Sequence, residues 1–288
     1  MSAPVSRLPS DAAVDLHLHT LYSDGKWRPL ELFDTLAQGG FRLVSVVDHD
    51  QVAHLPEVAA LGGERGIGVI AGIEVTTEWR GLPAHMLCYA PLSTGFTGDA
   101  LRELVDDTVQ RMLANTRMIY DAMLARGYMF PMQAELLADQ GGEVIRAGDV
   151  ANLLVAHGYA SGPHKALQMV TEAGYRQIRA PMEEAVAAAH ESGALCLIAH
   201  PGRGDGEIER YEPERIEALL REVPLDGVEV YYPTHTPQQV AEYEALARRL
   251  GLLVSAGSDS HGPRQRMPIA YPAERVAPLL ERLGVAVG

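Results

Sequence analysis

Apolar and polar positions recur along this chain in one form: a short apolar run, a polar stop, then a helical stretch. In residues 14–19 leucines alternate with His17 and His19, so on a strand both imidazoles face one side and the leucines the other. The run 43–47 stops at Asp48-His49-Asp50 and the run 69–73 at Glu74. The run 195–199 stops at His200-Pro201, and 252–257 leads into Ser258-Asp259-Ser260-His261. Helical periodicity fills the intervals: 29–38 before Gly39-Gly40, 55–61 before Gly62-Gly63, then 181–191, 213–221, 237–250 and 273–283. Residues 84–89, carrying His85 near their start, and 227–231 bring the strand count to seven. Alternating strand and helix favours a mainly parallel α/β sheet, in which functional groups gather at the C-terminal ends of the strands.

Residues 93–180 break this rhythm. Asp99 is placed to cap a long helix to about residue 126, with Leu101, Leu104, Val105, Val109, Met112, Thr116, Ile119, Tyr120 and Met123 as its apolar stripe. Shorter helices are expected near 132–139, 149–157 and 164–173. The predicted division is therefore 12–92 with 181–288 as the unit bearing the polar strand ends, and 93–180 as a helical insertion. Insertions of this kind commonly act as lids or specificity elements.

Composition narrows the function classes. A chain of 288 residues with 47% hydrophobic content can bury one large core. Near-zero mean hydropathy and the lack of a long apolar run argue against a membrane-spanning helix. The segment up to Asp11 has no apolar stretch of the kind an export signal needs. Cys88 and Cys196 both fall inside expected strands, which argues against a disulfide framework and fits a cytoplasmic protein. A net charge of −14 disfavours long nucleic acids as partners, so an anionic substrate would need cations gathered locally.

The candidate chemistry rests on the strand ends. A lone His-x-His pair is weak, since 11 histidines in 288 residues would supply about 0.4 such pairs by chance. Its setting strengthens it: Asp24 follows in a Ser23-Asp24-Gly25 turn, and His49, Glu74, His85, His200, Asp259 and His261 recur at or near strand ends. Imidazole and carboxylate are the usual ligands of zinc, manganese and iron. A buried cluster of nine such residues costs too much unless metal ions compensate it.

Taken in order, His17-x-His19-x4-Asp24, Val47-Asp48-His49-Asp50, Gly72-Ile73-Glu74, His85, Ala199-His200-Pro201-Gly202 and Gly257-Ser258-Asp259-Ser260-His261-Gly262 resemble the motifs of the PHP phosphoesterases. The resemblance spans nearly the whole chain and points to small stand-alone bacterial members, a group that includes 3′,5′-nucleoside bisphosphate phosphatases. It implies a distorted seven-stranded (β/α) barrel with a helical insertion. It also implies two to three divalent ions, manganese foremost, with zinc or iron as alternatives. Carried onto this chain, one ion falls to His17, His19, Glu74 and Asp259, a second to Glu74, His85 and His200, and a third to Asp24, His49 and His261.

The implied activity is hydrolysis of phosphomonoesters of small nucleotides: 3′,5′-bisphosphonucleosides, mononucleotides or short 5′-phosphorylated oligonucleotides. Water acidified between two ions is the nucleophile expected of such a cluster. His235, Asp24 and a metal-bound water are each candidates to protonate the leaving oxygen. Arg203 suits a phosphate oxygen pair. Relatives carry a Gly-Arg-Pro-His run in the insertion, where this chain has Arg146-Ala147-Gly148-Asp149; Arg146 stands in for that arginine and Asp149 for the histidine. Other readings are a histidinol-phosphate-type phosphatase, an amidohydrolase cleaving C–N bonds, and a non-catalytic PHP module. The sole lysines, Lys26 and Lys165, lie in an expected turn and in the insertion, which argues against amidohydrolases that need a carboxylated strand-end lysine.

Overall fold

Runs of fully buried apolar residues decide where this chain is extended and where it coils. The computed structural model describes residues 5–204 and 208–288. Along the chain, β1 (Arg7–Leu8) and β2 (Ala13–Leu18) lead to α1 (Pro29–Gln38). There a proline at the first turn sets the helical φ, and Leu32, Phe33 and Leu36 are buried on one face. Each such side chain contributes about 1.5–3 kcal/mol by leaving water. β3 (Phe41–Val46), α2 (Leu55–Arg65), β4 (Gly68–Val69), β5 (Gly72–Trp79) and β6 (Leu82–Tyr89) follow. Next come α3 (Ala100–Ala125), α4 (Gln133–Leu136), α5 (Ala147–Ala156) and α6 (Pro163–Glu172). The remainder is β7 (Ala180–Pro181), α7 (Met182–Glu191), β8 (Leu195–Ile198), α8 (Pro213–Leu220), β9 (Gly227–Tyr231) and α9 (Pro237–Leu250). β10 (Leu253–Ala256), β11 (Tyr271–Pro272), α10 (Ala277–Arg282) and β12 (Ala286–Val287) close the chain.

Two compact units result. One comprises Met1–Val105 with Arg179–Gly288, and the other Asp106–Ile178. The second unit has its own core, formed by Ile119, Met123, Val150, Leu153, Leu154 and Val170 among others. In the first unit Leu16, Val47, Ile70, Leu87, Leu197 and Ala256 pack together, while Val75, Met86, Ile198, Val228 and Val230 pack with Val186 and Leu246 from α7 and α9. Among the described residues no helix is long and apolar enough to cross a membrane.

Among the described residues the strands form three sheets: β10-β9-β8-β6-β5-β7, β11-β2-β3-β4 and the pair β1-β12. Most pairings are parallel, as expected, but β5–β6, β6–β8 and β11–β2 are antiparallel. The hairpin between β5 and β6 turns at Arg80-Gly81, both left-handed at φ 53° and 75°, as a two-residue turn of matching twist requires. The expected distorted seven-stranded barrel is borne out only as a mixed α/β fold with largely parallel sheets: the described residues form no closed barrel. Between β3 and β5 the ladder shrinks to one bridge, His49↔Glu74, and between β2 and the end of β10 to Leu18↔Ser260. The reason is local. Asp50 and Asp259 leave the extended conformation at φ 51° and 53°, so neither ladder can propagate. Both seams run through the predicted site residues.

Two element boundaries also differ from expectation. Glu74 is the third residue of the eight-residue strand β5 and not a strand terminus. α2 does not stop before Gly62-Gly63 but continues to Arg65, where the left-handed Gly66 (φ 67°) caps it. Gly62 serves packing instead: a Cβ there would come within 2.4 Å of Val69 Cγ2.

Candidate metal centre

The alternation that defines β2 turns His17 and His19 toward the seams, and residues within β5 and β6 or just beyond β3, β8 and β10 meet them there. Glu74 is the hub. Its Oε2 lies 3.0 Å from His17 Nε2 and from His19 Nε2 and 3.3 Å from His49 Nε2. Its Oε1 lies 3.0 Å from His85 Nδ1 and from His200 Nε2. Asp259 Oδ1 lies 3.4 Å from His17 Nε2, 3.3 Å from His19 Nε2 and 3.3 Å from His261 Nδ1. His261 Nε2 in turn reaches Asp24 Oδ2 at 3.2 Å. All nine residues expected to act together are thus contiguous.

Their grouping follows the expected sets in part. His17, His19, Glu74 and Asp259 form one group of converging donor atoms. A second joins His49 to Glu74 and His85, and a third joins His19 to Asp24, His49 and His261. His49 therefore stands between the last two, whereas the resemblance gave it to one ion alone.

The donor set fits metal ions better than it fits hydrogen bonding. His17 Nε2 and His19 Nε2 face each other at 3.1 Å with a shared carboxylate oxygen beside them, and one proton cannot satisfy three such atoms. Donor separations of 3.0–3.4 Å match the edge of a coordination polyhedron, which is ~3.0–3.4 Å for ligand bonds of ~2.0–2.1 Å. Nδ1 of His19 and Nδ1 of His49 are buried with no hydrogen-bond partner among the described residues. His200 and Asp259 hold left-handed φ values of 28° and 53°, the kind of backbone strain that collects at functional sites.

The charges gathered around Glu74 shift one another's titration. Burial opposes charge on His19, but hydrogen bonds to Asp259 and Glu74 outweigh it and lift its pKa to about 10. Burial likewise opposes His17, which Glu74, Glu229 and Asp259 raise well above the ordinary imidazole value. The same imidazoles overcome desolvation to hold Glu74 and Asp259 well below the usual carboxylate range. His49 and His85 go the other way: burial dominates, lowering His49 to about 4. For Asp24, burial is outweighed by the hydrogen bond to His261 and the charges of His49 and His19, which lower its pKa.

A second layer of buried carboxylates was not anticipated from the sequence. Asp48 accepts from the Thr20 N–H at 2.7 Å and from the Ser23 hydroxyl at 2.6 Å, tying the Asp24 turn to β3. Asp15 accepts backbone N–H groups of Ser258 and Ile269, each at 3.0 Å, and burial raises its pKa to about 6 against those bonds. Glu229 accepts from His17 Nδ1 at 2.9 Å. A readable signal existed for two of them: Val14-Asp15-Leu16 and Val228-Glu229-Val230 each set a carboxylate between apolar strand residues.

A cleft of about 690 Å³ opens onto the cluster, lined by Asp24, His49, His85, Asp259 and His261 and by the cations Arg203 and Arg266. Arg203 Nη1 lies 3.9 Å from Asp259 Oδ2. Arg266, absent from the sequence expectation, donates to the Ser258 carbonyl at 2.7 Å and sits over the Tyr232 ring at 5.4 Å. The Tyr232 hydroxyl donates to Asp259 Oδ2 at 2.8 Å. His235 departs from its expected roles. Its Nδ1–H donates to the Val230 carbonyl at 2.9 Å and its Nε2 accepts from the Gly202 N–H at 3.0 Å. Both ring nitrogens are consumed, so the buried ring anchors the loop that carries Arg203 and has no proton to give a leaving group. Arg146 belongs to the Asp106–Ile178 unit, exposed at the N-terminus of α5, and Asp149 there accepts the Arg146 N–H at 2.9 Å as a helix cap.

The chain is similar to several known proteins. The chain is 28% identical over 263 residues to a phosphoribosyl 1,2-cyclic phosphate 1,2-diphosphodiesterase of Eggerthella lenta, covering 88% of this chain and 96% of that protein. It is 28% identical over 256 residues to a 3′,5′-nucleoside bisphosphate phosphatase of Chromobacterium violaceum, covering 88% of each. It is 27% identical to a 5′-3′ exoribonuclease of Salmonella typhimurium, covering 91% and 90%. A Chromobacterium violaceum structure described as an amidohydrolase with bound sulfate and no metal superposes with a TM-score of 0.73 at 26% identity, covering 94% and 97%. A Bifidobacterium adolescentis structure at 24% identity shares the fold with a TM-score of 0.73, covering 96% and 98%. Residues 15–224 match the PHP domain family, and the chain belongs to it.

Proposed function

We propose that this protein is a metal-dependent phosphoesterase that hydrolyses phosphomonoesters of small nucleotides, among them 3′,5′-bisphosphonucleosides, mononucleotides and short 5′-phosphorylated oligonucleotides. One observation carries the reading: five imidazoles converge on Glu74 beneath a cleft whose open face bears Arg203 and Arg266. His17, His19, Glu74 and Asp259 would hold one ion, and Glu74, His85, His200, Asp24, His49 and His261 the others. Bound divalent ions acidify water and offset charge on phosphate oxygens. The chain's own residues do the rest. Arg203 and Arg266 give a chain of net charge −14 a local cationic face for a phosphoryl group. His235 fixes the Gly202-Arg203 loop, and Tyr232 orients Asp259.

The relatives are named for action on a phosphoribosyl cyclic phosphate, a nucleoside bisphosphate and RNA, in each case at phosphoester bonds. That supports a nucleotide substrate over histidinol phosphate. C–N hydrolysis of the carboxylated-lysine type is disfavoured because Lys26 and Lys165 are both exposed and outside the cluster. The decisive experiment is a phosphate-release screen of the Mn²⁺-reconstituted protein across nucleotides, bisphosphates, short 5′-phosphorylated oligonucleotides and sugar phosphates. Release from the nucleotide set is expected. No release from any phosphate ester, with no transition metal found by elemental analysis, overturns the reading.

A further inference from the structure

We propose that Glu229 is a positioning residue of the metal centre, one carboxylate that presets two ligands at once. The inference rests on the metal-dependent reading above. Glu229 lies in the middle of β9, fully buried between Val228 and Val230. Its Oε1 accepts from His17 Nδ1–H at 2.9 Å, and its Oε2 accepts from the His200 backbone N–H at 2.7 Å. His17 and His200 come from strands far apart in the chain, and both direct Nε2 at Glu74 from 3.0 Å.

Each bond has a separate consequence. An imidazole that donates through Nδ1 keeps its lone pair at Nε2, so Glu229 selects the tautomer of His17 that can bind a cation and fixes the ring's plane. At His200 the backbone is held at φ 28°, outside the ordinary range for a residue with a Cβ. A short bond to a buried carboxylate is the kind of local restraint that keeps such a conformation populated. Gly257 makes room for this arrangement. A Cβ at that position would lie 2.1 Å from His17 Cβ and 2.9 Å from Glu229 Oε1, so no larger residue could sit beside the pair.

Glu229→Gln keeps size and shape but leaves a single acceptor for two N–H groups, with its own NH₂ facing the other donor. The full-length protein is stripped of metal and titrated with Mn²⁺ alone. The variant is expected to keep the circular dichroism of wild type, to melt a few degrees lower without metal because one buried N–H loses its acceptor, and to bind Mn²⁺ about 10–100-fold more weakly, with turnover recovering as Mn²⁺ is raised. A purely structural role would lower the metal-free melting temperature just as much but leave Mn²⁺ affinity unchanged, and that unchanged affinity overturns the proposal. Should the glutamine variant fail to fold, Glu229→Asp carries the test: it keeps the charge but is one methylene too short to reach both groups. Binding weaker by about tenfold is expected, and wild-type affinity overturns the proposal. Wild-type protein that takes up no Mn²⁺ overturns the metal-dependent reading as well; wild type that binds while both variants bind equally well overturns only the role of Glu229.

Discussion

Strand β8 has a histidine–carboxylate cluster at each end, and the two behave differently. Beyond its C-terminal end, His200 joins His17, His19, His49 and His85 around the two oxygens of Glu74. Near its N-terminal end, His190, Cys196 and Asp226 bring their donor atoms within 4.8 Å of one another. Residue types alone would nominate both for a metal. The contacts separate them. His190 Nε2–H donates to Asp226 Oδ2 at 2.9 Å and the Cys196 N–H donates to the same oxygen at 2.8 Å. The Cys196 thiol is kept protonated by its hydrogen bond with Cys88 and by burial. Every donor there meets an acceptor, with His190 reached by solvent. At the far end imidazole lone pairs face one another in a buried site, and no arrangement of protons satisfies them all. A surplus of buried lone pairs, and not the presence of ligand-type residues, marks the metal centre.

The sharpest test of that contrast is to neutralise one carboxylate at each end. Glu74→Gln removes the shared charge of five imidazoles and is expected to lower phosphate release on the order of 10³-fold or more, with loss of bound metal. Asp226→Asn should leave both turnover and metal content as in wild type. Elemental analysis alongside a phosphate-release assay reads both quantities. A Glu74→Gln protein with wild-type metal content and rate would erase the distinction.

A smaller effect separates the cationic face of the cleft from the ligands beneath it. Arg203→Ala and Arg266→Ala each remove a charged hydrogen-bond donor worth about 1.5–3 kcal/mol, so KM is expected to rise about 10- to 150-fold. Bound metal should stay at the wild-type level in both. Loss of metal in either variant would mean that these arginines support Asp259, near which both lie, and do not serve the substrate.

What the sequence could reveal followed the same physics. Short apolar runs with polar stops located β2, β3, β8 and β10 and the residues at or just beyond their ends, because a strand buried on both faces displays its apolar run locally. The Gly-capped periodicity of α1 and α9 matched their observed bounds, since caps and proline starts are local signals too. Barrel closure was not legible: whether a ladder continues depends on left-handed turns at Asp50 and Asp259, which aspartate adopts only in a tertiary setting. The glycines of α2 were misread for the same reason, as Gly62 answers to Val69 across the packing and not to its own helix. His235 read as reactive because a loop histidine shows nothing of the Val230 carbonyl and Gly202 N–H that consume it. Arg266 was overlooked because an arginine in a loop acquires meaning only from neighbours distant in sequence, whereas Glu229 was legible between Val228 and Val230 as a buried carboxylate but not as the partner of His17 and His200.

The smallest expected effect belongs to the near end of β8, and its sign with pH is specific. The hydrogen bond with Cys196 and then that with Asp226 outweigh partial burial and raise the His190 pKa to about 9, above an unfolded value near ~6.5. A raised folded pKa means stability that is complete below the unfolded pKa, fades as pH rises from about 6.5 to 9, and is gone above it. His190 is about a third exposed, so solvent screening limits the pair to ~0.5 kcal/mol or less. His190→Ala should therefore melt at most ~2 °C below wild type at pH 6 and level with it once the pH exceeds the folded pKa. Comparing the two melting curves at each pH decides the matter. A gap that widened with pH, or that grew when Mn²⁺ or Zn²⁺ was added, would mean that His190 works unprotonated as a ligand. The two ends of β8 would then differ in degree and not in kind.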